Sequence, residues 1–198
     1  GNSAQIGEKS HSANQLNMVP FFCMLLSTLL WVSYGFLKGD STLVIVNAIG
    51  LSLSIFYLQK CYFISMKNPT LDATPEERKR MFFTKVSIPL LIWLFSLAFC
   101  FLWNNEIPEK LGTVCVFASL ILFASPLSAL KTVLQTKNGN SISTTMTGAQ
   151  ILNCVSWVAY GLLINDVYVI VPNAIGSFLG FTAVGVKQYV EKNKSVLP

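Results

Sequence analysis

The chain has 198 residues, 53% apolar and 12% charged, with a net charge of +5 and a mean hydropathy of +0.56. Soluble domains carry about 25% charged residues, so this composition could not cover a soluble surface, whereas a polytopic membrane protein needs charge only in its loops. The basic residues fall in short loops rather than on one face, which excludes a nucleic-acid surface, and Cys23, Cys61, Cys100, Cys115 and Cys154 lie in apolar runs without metal-site or disulfide-framework spacing.

In chain order, residues 1–17 are polar and lack the apolar centre of a signal peptide. Runs of about 20 apolar residues, enough to cross a bilayer, then predict six transmembrane helices: 19–37, 42–63, 82–103, 111–130, 146–164 and 168–186. The expected class is an all-α membrane protein. Its expected divisions are a polar segment (1–17), a first helical repeat (18–65), a cytosolic loop, linker helix and external loop (66–110), a second repeat (111–190) and a tail (191–198). Six spans place both termini on one side. Twelve of the 14 basic residues fall on that side, against Lys38 and Lys110 on the other, so both termini are expected in the cytosol. The glycosylation pattern at Asn193 would then lie in the cytosol and carry no glycan.

The chain repeats itself. Trp31, Val32, Tyr34, Gly35, Leu37, Asp40, Asn47, Ala48, Ile49 and Gly50 recur at an offset of 126, without a gap, as Trp157, Val158, Tyr160, Gly161, Leu163, Asp166, Asn173, Ala174, Ile175 and Gly176. Subtracting the same offset from the span 111–130 places its counterpart almost wholly before Gly1. The second repeat therefore reads as a three-helix unit and the first as one lacking its opening helix, with 82–103 joining them. An odd joining helix gives two three-helix repeats the same orientation in the membrane, an arrangement found in transporters.

Several motifs carry a family likeness: Trp-x-x-Tyr-Gly followed by Asp and Asn in both repeats, Pro172-Asn173, and Ala124-Ser125-Pro126-Leu127 running into Gln135-Thr136-Lys137. The chain from about residue 19 to 190 resembles the SWEET sugar transporters. That resemblance implies seven helices, in two triple-helix bundles linked by a fourth helix, passing sugar down its gradient. This sequence departs from it in lacking the first helix, and in having Thr145 or Met146 where the family usually has a proline. The resemblance implies hinges at Pro20 and Pro126, and Pro126 and Pro172 each remove a backbone hydrogen bond inside a span and so supply a bend point.

A sugar site needs hydroxyl partners and flat apolar faces. Asn47 and Asn173 supply a donor–acceptor pair in each repeat, and Trp31 and Trp157 supply the faces. An intramembrane Asn also serves to bond a neighbouring helix, and Trp to anchor at the interface; both readings stand at this point. The resemblance adds Ser27 and Asn153, one turn before each Trp, then Ala118 and Ile121 as further pocket-lining positions, and Tyr34 with Asp166 as an extracellular gate. Plain packing, a belt tyrosine and a loop-capping aspartate are the structural alternatives.

The implied function is a passive, bidirectional uniporter working by alternating access on a glucose-like monosaccharide or sucrose. Its membrane is expected to be the plasma membrane, the Golgi or another endomembrane, its partners the lipid bilayer and other copies or relatives in an oligomer. An alternative is a truncated, non-transporting isoform that assembles with and regulates full-length relatives. No cofactor or metal is expected, because His11 is the only histidine, and no span carries a catalytic cluster, so the chain is not expected to be an enzyme.

Overall fold

The computed structural model describes residues 18–67, 73–102, 106–122 and 124–194. The polar segment 1–17 and the question of a helix before it lie outside the described residues. Within them all regular structure is helical. The chain divides into two compact units after Leu111.

The first unit contains α1 (Val19–Lys38), α2 (Ser41–Lys67) and α3 (Pro75–Leu102). α1 opens with proline in its first turn, where the missing N–H has no intrahelical acceptor to lose. It ends on Gly39 in the left-handed conformation (φ 67°), which lets the Asp40 N–H reach back to Gly35 O at 2.9 Å. Asp40 then starts α2: its Oδ1 accepts from the Leu43 N–H at 3.0 Å. α1 and α2 form an antiparallel hairpin whose tightest point is Gly35, where an added Cβ would stand 2.9 Å from Leu43 Cβ.

α3 begins at Pro75, seven residues before the apolar run. Thr74 and Glu77 form a capping box there, with Glu77 Oε2 accepting from the Thr74 N–H (2.9 Å) and hydroxyl (3.0 Å). Apolarity thus marks the membrane-crossing part, and the cap extends the helix into the polar region. Arg78 Nη1 donates to Ser65 O at the end of α2 (2.7 Å). Further along, Phe82 packs on Tyr62 with ring centroids 4.9 Å apart.

In the second unit, α4 (Ile107–Leu122) and α5 (Ala124–Thr136) together cover the predicted span 111–130 and extend it at both ends. A 3-10 turn, Gly139–Ser141, leads to α6 (Thr144–Leu163) and α7 (Val167–Lys194). α5, the turn and α7 meet around Val133, Ile142, Ala183 and Val190. Lys187 Nζ donates to Ile142 O (2.8 Å), fastening the turn to α7. Near its other end α7 carries Tyr168, whose ring covers Gly112 so closely that an added Cβ would lie 2.6 Å from it. The repeats are covered differently: Ala183 and Val190 are 6% and 4% exposed, whereas their counterparts Tyr57 and Ile64 in α2 are 44% and 50% exposed.

Five helical stretches among the described residues are long and apolar enough to cross a membrane: α1, α2, α3, α4 with α5, and α7. The sixth predicted span is α6, 20 residues long but interrupted by Gln150, Asn153 and Ser156. At 1.5 Å per residue it still matches the roughly 30 Å hydrocarbon core.

Candidate functional site

The α6–α7 hairpin repeats the α1–α2 hairpin in its hydrogen bonds as well as its sequence. Asn165 takes the left-handed conformation at the position of Gly39 (φ 54°), and the Asp166 N–H returns to Gly161 O at 2.9 Å. Asp166 Oδ1 accepts from the Tyr168 N–H (3.0 Å) and the Val169 N–H (3.4 Å). Gly161 is the contact point, where an added Cβ would lie 2.8 Å from Ile170 Cγ1.

One column of polar groups descends from each aspartate. In the first hairpin the residue capped by Asp40 through its N–H, Leu43, accepts at its carbonyl from Asn47 Nδ2 (2.9 Å). In the second, Val169 is capped by Asp166 and accepts from Asn173 Nδ2 (2.8 Å). Each amide spends one N–H on its own helix. Among the described residues no partner meets its carbonyl oxygen or its second N–H. Both asparagines are half-buried, and an amide without a partner in an apolar surrounding costs several kcal/mol at the upper end of transfer scales. Such a group favours a hydroxyl or a water.

The aromatic pair repeats as well. Trp31 meets Tyr34 edge-on, with centroids 5.7 Å apart at 89°, and Trp157 meets Tyr160 at 5.7 Å and 81°. Trp31 lies seven residues before the end of α1 and Asn47 six after the start of α2. At 1.5 Å per residue both stand about 10 Å from the hairpin turn. Trp157 and Asn173 stand six residues from theirs, at about the same depth. Each hairpin therefore holds an indole and an amide at one level.

The other candidates are placed as follows. Ser27 is half-buried, one turn before Trp31. Asn153, one turn before Trp157, is exposed on an apolar helix, an unfavourable location for an amide in hydrocarbon. Ala118 is half-buried and Ile121 is 72% exposed, both on α4. Tyr34 is fully buried beside Trp31, and Asp166 is buried as the cap of α7. They belong to different units. Of the three prolines singled out, Pro20 lies in the first turn of α1, where no intrahelical bond is lost, and the side chain of Pro126 lies outside the described residues. Pro172, the sixth residue of α7, stands where an N–H would have bonded the carbonyl four residues earlier.

Two contacts carry no signal in periodicity: the Lys187 tie to Ile142 O and a bond from Trp93 Nε1 to Ser33 Oγ at 3.0 Å, joining α3 to α1. The second could have been suspected from the repeat itself, because Ser33 is a hydroxyl where the other hairpin has Ala159.

Residues 5–70 and 109–194 each match the family described as "Sugar efflux transporter for intercellular exchange". The chain is similar to "Sugar transporter SWEET1" of Xenopus tropicalis, 31% identical over 168 residues that cover 83% of this chain and 73% of that one. It is 29% identical to "Sugar transporter SWEET1" of Homo sapiens over 176 residues, 87% and 76% of the two chains. To "Bidirectional sugar transporter SWEET13" of Oryza sativa subsp. japonica it is 30% identical over 182 residues, 89% of this chain and 58% of that one. Its fold matches a solved structure, "The 3.7 A resolution structure of a eukaryotic SWEET transporter", with a TM-score of 0.74 at 20% identity, over 96% of this chain and 88% of that one.

Proposed function

This chain belongs to the SWEET family and is a multi-pass membrane protein, and from that premise we propose that it carries a small sugar passively, in both directions, by alternating access. The observation that carries the reading is the duplicated set of one anchored amide and one indole at a common depth in each hairpin. A pyranose shows a ring of hydroxyls around apolar C–H faces, so it can bond amides at its edge while lying on aromatic rings. Asn47, Asn173, Trp31 and Trp157 form the core of the site. Ser27 and Asn153 complete its wall, and Ala118 and Ile121 line it where side-chain bulk sets the size of sugar accepted, either a glucose-like monosaccharide or sucrose.

Tyr34 and Asp166 close the external side, and Pro20, Pro126 and Pro172 lie where the helices reorient. The proposed protein lies in the plasma membrane or an endomembrane with both termini in the cytosol, a reading that the Lys/Arg asymmetry supports, and works as an oligomer.

The test is uptake of labelled glucose and of sucrose by cells expressing the protein, beside Asn47→Ala and Asn173→Ala at matched surface density. Uptake of one sugar, falling about 2- to 12-fold in both variants, is expected, the loss that one neutral hydrogen bond of about 0.5–1.5 kcal/mol supports. No uptake of either sugar by the unaltered protein refutes the function. Full uptake by Asn173→Ala assigns its amide to packing.

A further inference from the structure

α3 meets the first hairpin along one stripe. Pro89, Ser96 and Cys100 are buried on it with Trp93 half-buried between them, a spacing of one helix face on which small residues allow close approach. Within this stripe Trp93 Nε1 donates to Ser33 Oγ (3.0 Å), and the same hydroxyl donates to Leu29 O (2.8 Å). The serine is thus engaged on both its donor and its acceptor side. Ser33 lies two residues after Trp31, about 200° further round α1 at 100° per residue. Trp93 therefore holds the back of the turn whose front carries Trp31. A second hold, Phe82 against Tyr62 of α2 at 4.9 Å and Phe22 of α1 at 6.4 Å, lies eleven residues away, about 16 Å along α3. The second hairpin has Ala159 in place of Ser33 and can accept no such bond from its side chain.

We propose that Trp93 is a positioning residue for the sugar site: its bond to Ser33 fixes the turn of α1 that presents Trp31 and Tyr34, so that α3 and the first hairpin move as one body during transport. This rests on the transport reading above. Because only the first repeat carries the hydroxyl, the device also makes the two halves of a duplicated protein mechanically unequal.

The experiment uses the full chain in liposomes, measuring sugar KM and maximal rate by labelled-sugar uptake, and melting temperature in detergent. Trp93→Phe and Ser33→Ala are each expected to raise KM about 3- to 10-fold, the range that one intramembrane hydrogen bond supports. The double variant is expected to be no worse than either single one, because both remove the same bond. Ser33→Thr, which keeps the hydroxyl, restores the original KM, and Ala159→Ser changes nothing. Unchanged KM with a lowered melting temperature, or additive effects in the double variant, overturns the proposal and leaves Trp93 a packing residue. If Trp93→Phe fails to reach the membrane, the contrast of Ser33→Ala with Ser33→Thr carries the test. Absence of uptake by the unaltered protein refutes the transport reading instead, and the coupling of the two substitutions in melting temperature then decides whether the anchor exists.

Discussion

Substituting Gly161 by alanine tests the close contact between α6 and α7, the helices that carry Trp157 and Asn173. The new methyl carbon would lie 2.8 Å from Ile170 Cγ1, 3.2 Å from Ile170 N and 3.3 Å from Val169 Cβ. Carbon atoms in contact settle at about 3.5–4.0 Å, so the first overlap is roughly 0.7–1.2 Å. The isoleucine tip can turn aside, but the backbone nitrogen cannot, and α6 and α7 must part. Overpacking of this kind costs about 1–3 kcal/mol, or roughly 2–12 °C in melting temperature for a chain of this size. Gly148 on the same helix is the control, since nothing lies within 4 Å of its added methyl group. Both substitutions gain the same helix propensity, up to about 1 kcal/mol, so their difference isolates the overlap. The assay pairs thermal unfolding in detergent with sugar uptake at equal surface density. Gly161→Ala should melt lower and transport less, while Gly148→Ala should melt at or above the unaltered protein. Equal melting and uptake for the two variants would refute the close-contact argument.

Removing a cap, by Asp40→Ala or Asp166→Ala, is expected to cost about 0.5–2 kcal/mol in a melting experiment, with Asp→Asn nearly neutral; loss of uptake in Asp166→Asn without loss of stability would instead support the gate. Because the six predicted spans contain no Asp or Glu, transport is expected to be independent of proton or voltage gradients, and accumulation against a sugar gradient that a protonophore abolishes would contradict this. Hydrogen bonds from the backbone and hydroxyl of Thr74 hold the Glu77 carboxyl below the usual glutamate range. The cap of α3 is therefore at full strength above the ordinary value of about 4.3 and is lost as pH falls through the lower folded value. The protection of the Thr74 and Glu77 amides against exchange, relative to their intrinsic rates, should hold from pH 8 to 5 and fall only in stronger acid, a dependence that Glu77→Gln removes.

Local chemistry made the hairpins legible in the sequence. The duplication at an offset of 126 reappears in the left-handed turns at Gly39 and Asn165, the Asp40 and Asp166 caps, and the Asn47 and Asn173 bonds, because each depends on residues within five positions of one another. The start of α3 was half legible: Thr74-Pro75-Glu76-Glu77 announces a helix start, yet apolarity alone placed the span seven residues later. The role of Asp166 as a helix cap competed with a gate reading that its sequence position could not decide. Whether a proline removes a helical hydrogen bond depends on where its helix begins, as the first-turn place of Pro20 and the interior place of Pro172 illustrate. The bond between Trp93 and Ser33 joins residues 60 positions apart, and no periodicity encodes it.

Anchoring the two amides to Leu43 and Val169 has a thermodynamic consequence. A side chain fixed on its own helix has surrendered its rotameric freedom during folding, so a ligand meets an oriented carbonyl oxygen rather than a rotating group. Ordering a polar side chain on association ordinarily costs about 0.5–1.5 kcal/mol. With two such groups already set, the entropic penalty of association is reduced by about 1–3 kcal/mol, and it is reduced equally in every conformation in which the local helix turns persist. The amides would then favour neither the outward nor the inward form, a balance suited to the bidirectional carrier proposed above.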